Sequence, residues 1–169
     1  MEYNKFIRNI ADFPKKGIVF KDITPLLSNK KSYSSLMNTI KTRYKNYKID
    51  KVVGIEARGF ILGSALATLL NCGFTPIRKK GKLPFKTFSE TYDLEYGKDT
   101  LEIHKDAFNK NDNIIIVDDV LATGGTIKAS LKLLQNFQIN ILETFFLIEI
   151  LKLEGKKSLD FKYFSLIKA

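Results

Sequence analysis

The chain has 169 residues, 44% hydrophobic and 27% charged, with a net charge of +10, which fits one globular domain with a substantial core. No apolar run reaches the roughly 18 residues a membrane span requires, and the single cysteine, Cys72, excludes an internal disulfide. Zinc-ligand spacing and aromatic RNA-binding signatures are absent, only Arg8, Arg43, Arg58 and Arg78 are arginine, and the lysines are spread along the chain. The positive charge therefore reads as a solvated surface that attracts polyanionic substrates, with neither nucleic acid nor membrane as a partner. Met1-Glu2-Tyr3-Asn4-Lys5 has no apolar stretch behind a basic start, so the expected location is cytoplasmic.

In chain order, residues 1–12 have the pattern of a short amphipathic helix, with Phe6 and Ile10 on one face. The stretch Asp12 to Leu27 mixes proline, glycine and apolar residues with neither period, and reads as an ordered loop. Residues 32–47 predict a helix with Leu36, Ile40 and Tyr44 inward. Lys51–Ile55 predicts a strand, and Glu56-Ala57-Arg58-Gly59 turns into a helix carrying Phe60, Leu62, Ala65, Leu66 and Leu69. A helix N-terminus attracts anions, and Arg58 adds a planar fork of donors matched to phosphate oxygens. Phe74–Ile77 is the next strand. Four cations then fall in the five positions Arg78–Lys82, around Gly81. Thr87–Tyr92 and Thr100–His104 predict two antiparallel strands of a small subdomain.

The densest concentration of signals lies between Ile114 and Thr126. The aliphatic run Ile114-Ile115-Ile116-Val117 suits a strand buried on both faces. Asp118 and Asp119 follow at its carboxyl end. A turn, Ala122-Thr123-Gly124-Gly125-Thr126, then opens a helix ending near Phe137. Ligands of open α/β sheets bind beyond the carboxyl ends of strands. Free amides of a first helical turn, glycines that admit a close backbone approach and two threonine hydroxyls make an anion cradle. The adjacent carboxylates suit two sugar hydroxyls or a cation. Together they match a ribose 5-phosphate. No G-x-x-x-x-G-K-[ST] or G-x-G-x-x-G is present to make this a nucleotide-triphosphate or dinucleotide site. Ile141–Ile150 and Phe161–Leu166 are the last two strands expected.

The Ile114–Thr126 segment resembles the phosphoribosyl-diphosphate (PRPP) motif of the type I phosphoribosyltransferases. Four further blocks resemble the adenine-specific members of that family: F-P-x-x-G-I-x-F-x-D-I-T-P-L-L from Phe13, G-I-E-A-R-G-F from Gly54, R-K-x-G-K-L-P from Arg78 and L-E-Y-G-x-x-x-L-E-I from Leu94. The resemblance implies an α/β fold with a central mostly parallel sheet flanked by helices, a small hood and a flexible lid. It implies one domain over residues 1–169, with hood elements from about 12–27 and 150–169. The implied reaction is purine salvage, transfer of the phosphoribosyl group of PRPP to adenine.

The same resemblance assigns residues. Asp118 and Asp119 hold the ribose, and Ala122, Thr123, Gly124, Gly125 and Thr126 hold the 5-phosphate. Glu56, Ala57 and Arg58, with Arg78, Lys79 and Lys82, hold pyrophosphate, with a cis peptide between Glu56 and Ala57. Val19, Phe20, Lys21 and Leu153 hold adenine. Lys82 begins the lid, Tyr96 lies over the reacting centre, and Glu95 is the acid/base. Mg2+ arrives bound with PRPP, and a homodimer is implied. A phosphoribosyltransferase for another base, or a PRPP-sensing regulator without catalysis, are the alternatives.

Overall fold

The computed structural model describes residues 1–93 and 97–169, with Ser158 in backbone only. Residues Met1–Asn46 and Tyr47–Ala169 form two compact units.

In the first unit, a 3-10 turn at Tyr3–Phe6 leads into β1 (Arg8–Ala11), which pairs antiparallel with β2 (Val19–Asp22), Ile10 opposite Phe20. The helix expected over residues 1–12 is thus a turn and a strand. Ladder bonds to a segment some ten residues on satisfy this backbone, which a local helical pattern cannot anticipate. Part of the expected 12–27 loop is likewise β2, and α1 (Thr24–Ser28) follows with Pro25 in its first turn. Between the strands, Asp12 adopts φ +56° and its Oδ1 accepts from the Gly17 amide at 2.6 Å. Helix α2 (Lys30–Tyr44) is capped by Asn29, whose side chain accepts from the Ser32 amide at 3.0 Å. Leu36, Ile40 and Tyr44 are buried on α2, as their spacing predicts.

The second unit is built on β3 (Lys51–Ile55), α3 (Arg58–Leu70), β4 (Gly73–Lys79), β5 (Thr87–Asp93), β6 (Lys98–His104), β7 (Asn113–Leu121), α4 (Gly125–Leu134), β8 (Asn140–Glu149) and β9 (Tyr163–Lys168). The sheet order is β5-β6-β4-β3-β7-β8-β9. Strands β4, β3, β7, β8 and β9 run parallel, while the β5–β6 hairpin joins β4 antiparallel. Alternation along the strands divides them between two faces. Val53, Ile55, Ile77, Ile114, Ile116 and Phe146 share a core cluster with Ile127, Leu133 and Leu134 of α4. On the other face α3 packs against β3, β4 and β7, and Gly63 lies 3.5 Å from both the Gly54 Cα and a Val52 methyl, measured from an ideal Cβ. Strand β7 is buried on both faces, which is why its Ile114–Val117 stretch reads as an unbroken aliphatic run. Among the described residues no helix is long and apolar enough to cross a membrane.

Candidate active site

Parallel packing puts the carboxyl ends of β3, β4 and β7 at one edge of the sheet, where the loops leading to α3, the hairpin and α4 begin. The acidic pair lies inside β7 rather than beyond it. The strand continues to Leu121 because β8 offers partners the whole way, Val120 opposite Ile148 and Leu121 opposite Glu149. Successive strand residues point to opposite faces, so the two carboxylates diverge. Asp118 lines a depression with the turn that follows, together with Ile127 and Phe146. Asp119 reaches the first residue of α3, forming an ion pair with the Arg58 Nε.

Both acids are nearly buried, at 9% and 5% exposure. The Asp118 Oδ1 accepts from the Asp119 amide at 2.9 Å. Burial pushes the Asp118 carboxyl well above the usual aspartate range, and the Asp119 charge raises it further, against the opposing pull of Arg58. An aspartate that strains toward neutrality needs polar partners, and ligand hydroxyls are suitable ones. Close approach of α3 is what makes this corner tight. A Cβ on Gly59 would stand 2.7 Å from the Val117 carbonyl oxygen and 3.1 Å from the Asp118 Oδ1.

The depression is open to solvent, and its wall is the Ala122–Thr126 turn. Gly124 stands at φ +86°, a conformation that a side chain disfavours, and α4 begins at Gly125. The helix has no side-chain cap, so the amides of its first turn face the depression without a competing acceptor of that kind. The Thr126 hydroxyl donates to the Tyr92 hydroxyl at 3.4 Å.

The cation side is organised by carboxylates. The peptide between Glu56 and Ala57 is cis. Glu56 Oε2 accepts from the Lys79 amide at 2.9 Å and from the Arg78 Nε at 3.3 Å. Burial would raise the Glu56 carboxyl, but those two donors and the Arg78 and Lys82 charges outweigh it and hold it below its usual range. The Arg78 Nη1 also donates to the Lys82 carbonyl at 3.1 Å, anchoring the start of the next loop. The Gly81 amide is held by Glu102 at 2.9 Å. The Lys79 ammonium pairs with Asp99, whose Oδ2 also accepts from the Tyr92 hydroxyl at 3.4 Å. Against the opposing effect of burial, Asp99 raises the Lys79 ammonium, and Lys79 lowers the Asp99 carboxyl. A chain of polar contacts thus runs from Lys79 through Asp99 and Tyr92 to Thr126.

The second unit therefore gathers Glu56, Ala57, Arg58, Arg78, Lys79 and Lys82 around the starts of two loops, and Asp118, Asp119 and Ala122–Thr126 around a third. Leu153 lies in a 3-10 turn, Leu151–Leu153, after β8, at 42% exposure. In the first unit, Val19 is exposed, the Phe20 ring packs edge-on against Phe13 at 5.2 Å, and the Lys21 ammonium donates to Asn9 Oδ1 at 3.0 Å. Glu95 and Tyr96 lie outside the described residues. Sequence reading missed Asp99, Tyr92 and Glu102. All three belong to the hairpin; Glu102 stands in the block quoted from Leu94 without a role, and Asp99 and Tyr92 carry no local sign of partners remote in sequence.

Residues 22–169 match the phosphoribosyl transferase domain family. An adenine phosphoribosyltransferase of Citrifermentans bemidjiense is 55% identical over 168 residues, which is 99% of this chain and 98% of that one. The crystal structure of adenine phosphoribosyltransferase from Thermoanaerobacter pseudethanolicus superimposes with a TM-score of 0.95 at 48% identity, covering 99% and 98% of the two chains. The Saccharomyces cerevisiae adenine phosphoribosyltransferase, complexed with an imino-altritol bisphosphate and adenine, gives a TM-score of 0.92 at 38% identity over 98% and 96%.

Proposed function

The chain belongs to the phosphoribosyl transferase family, and from that premise we propose that it is a purine-salvage enzyme, transferring the 5-phosphoribosyl group of PRPP to adenine to give AMP and pyrophosphate. The observation that carries the reading is the corner at the end of β7. There two near-buried carboxylates stand beside an uncapped helix start, and a guanidinium from the neighbouring strand–helix turn pairs with one of them.

The 5-phosphate sits on Ala122, Thr123, Gly124, Gly125 and Thr126, where backbone amides and hydroxyls supply the donors. Asp118 and Asp119 accept from the ribose hydroxyls. Glu56 and Ala57 shape the turn that carries Arg58. Arg58, Arg78, Lys79 and Lys82 stabilise the negative charge that grows on pyrophosphate as the C1′ bond breaks. The sugar passes through an oxocarbenium-like state, as in glycosyl transfer generally, so charge of both signs develops and the preorganised cations favour departure. The family resemblance assigns adenine to Val19, Phe20 and Lys21 in the first unit and to Leu153 in the second, through apolar contacts and backbone discrimination. The resemblance assigns Glu95 to the purine proton and Tyr96 to the reacting centre, and Lys82 to the start of the lid.

Magnesium fits as a substrate-borne ion. Mg2+ is commonly held by one or two carboxylates together with substrate phosphates. When bound, the ion neutralises diphosphate charge. The single cysteine accords with a cytoplasmic enzyme. We read the chain as one phosphoribosyltransferase domain. From the family resemblance we read the enzyme as a homodimer.

The deciding experiment is incubation with PRPP, Mg2+ and a mixture of adenine, hypoxanthine, guanine and xanthine. AMP as the principal product supports the assignment. Another nucleotide, or none, overturns it.

A further inference from the structure

Gly155 opens the second of two consecutive 3-10 turns, Leu151–Leu153 and Gly155–Ser158, separated by Glu154 at φ +50°. The turns hang from the end of β8. The Ile150 amide donates to the Leu121 carbonyl at 2.9 Å, the Leu153 amide to Ile150 at 3.1 Å, and the Lys157 amide to Glu154 at 2.9 Å. The left-handed bend at Glu154 redirects the chain, and Gly155 becomes the one buried residue of Leu151–Lys157. It is buried on the backbone of the Ala122–Thr126 turn. A Cβ at Gly155 would stand 3.0 Å from the Ala122 carbonyl carbon and 3.2 Å from the Gly124 amide nitrogen, and closer still to the Ala122 carbonyl oxygen. Those obstacles are main chain, which cannot rotate aside as a flexible side chain would.

The turn that Gly155 touches has no side-chain cap of its own. Backbone packed this closely against it, as at Gly155, limits the shapes it can take. We propose that Gly155 is a positioning residue for the 5-phosphate loop. Its bare Cα lets the turns after β8 buttress the loop, setting where the Ala122 carbonyl and Gly124 amide lie when phosphate arrives. This rests on the assignment of Ala122–Thr126 to the 5-phosphate. The contact acts through the loop and not on the reacting atoms.

The test is Gly155→Ala, with its thermal melting, its KM for PRPP and its KM for adenine measured separately. A methyl group must move the loop by a sizeable fraction of an ångström. Displacements near 1 Å cost about 100-fold in efficiency, so kcat/KM for PRPP should fall by about that factor, chiefly through KM, while the KM for adenine changes little. A folded variant with unchanged KM for PRPP overturns the proposal, as does an equal rise in both KM values. Should the variant not fold, the wild-type protein decides by amide NMR with ribose 5-phosphate as the probe. Shifts at Gly124, Gly125 and Gly155 together support the buttress. Shifts at Gly124 and Gly125 without Gly155 overturn it. No shift at Gly124 or Gly125 overturns the phosphate-loop assignment beneath it.

Discussion

Arg58 and Asp119 form an ion pair that joins the first residue of α3 to the interior of β7. The carboxylate is 7% exposed and the guanidinium 40%, so the acid is fixed and the base has room to turn. One side chain is thus shared between the ribose and pyrophosphate ends of the proposed site. Arg58 can exchange part of its pairing for diphosphate oxygens when substrate arrives, because a guanidinium carries five donors.

Replacing both Asp118 and Asp119 with Asn should reduce turnover by at least about 100-fold, the scale of a lost preorganised polar contact at a reacting centre. The fold should persist, since Asn occupies nearly the same volume. Near-normal turnover would remove the ribose from these residues.

Asp118 alone gives a pH signature. Its folded value lies well above the ordinary 3.8 because of burial and the Asp119 charge. Between the unfolded and folded values the native state binds more protons, so stability falls as pH rises through that window. Asp118→Asn removes this cost. The variant should melt higher than wild type at pH 8, with the difference shrinking toward pH 4, while its activity is lost. A melting difference that grows toward pH 4 would contradict the raised value.

Asp99→Asn tests the ammonium of Lys79. The pair is partly exposed, at 43% and 21%, so solvent limits its worth. Loss of positioning should raise KM for PRPP by a factor of about 2–5, equivalent to the upper part of the range for exposed pairs. The KM for adenine should hold. An unchanged KM for PRPP would leave the Asp99 contact without a part in substrate binding.

Glu95→Gln should lower kcat more than it weakens PRPP binding, because a proton acceptor acts on the chemical step. Stopped-flow turnover beside equilibrium PRPP binding separates the two, and an unaltered kcat assigns Glu95 a structural part.

The sheet was legible because burial on both faces leaves strands such as Ile114–Val117 uniformly aliphatic. The Ala122–Thr126 turn was legible because glycine and threonine have few other reasons to cluster between a buried strand and a helix. What stayed hidden is what depends on partners remote in sequence. The β1–β2 pairing was invisible in the Phe6 and Ile10 spacing, which mimicked a helix. The extension of β7 through Asp118 to Leu121 depends on the length of β8. The Asp99 carboxylate gained its meaning only when the hairpin brought it to Lys79. Similarly, Gly155 was an unremarked glycine until Ala122 stood against it.

The sheet order has a kinetic consequence. The β5–β6 hairpin closes between near neighbours, but β7 lies between β3 and β8, and its approach to the β3 side brings together Asp50 and Asn113, 63 residues apart. Closing such a loop costs entropy before any contact repays it. During refolding, helical and hairpin signals should therefore return before catalytic competence, and the junction of β7 with β3 should form later than its pairing with the sequence-near β8.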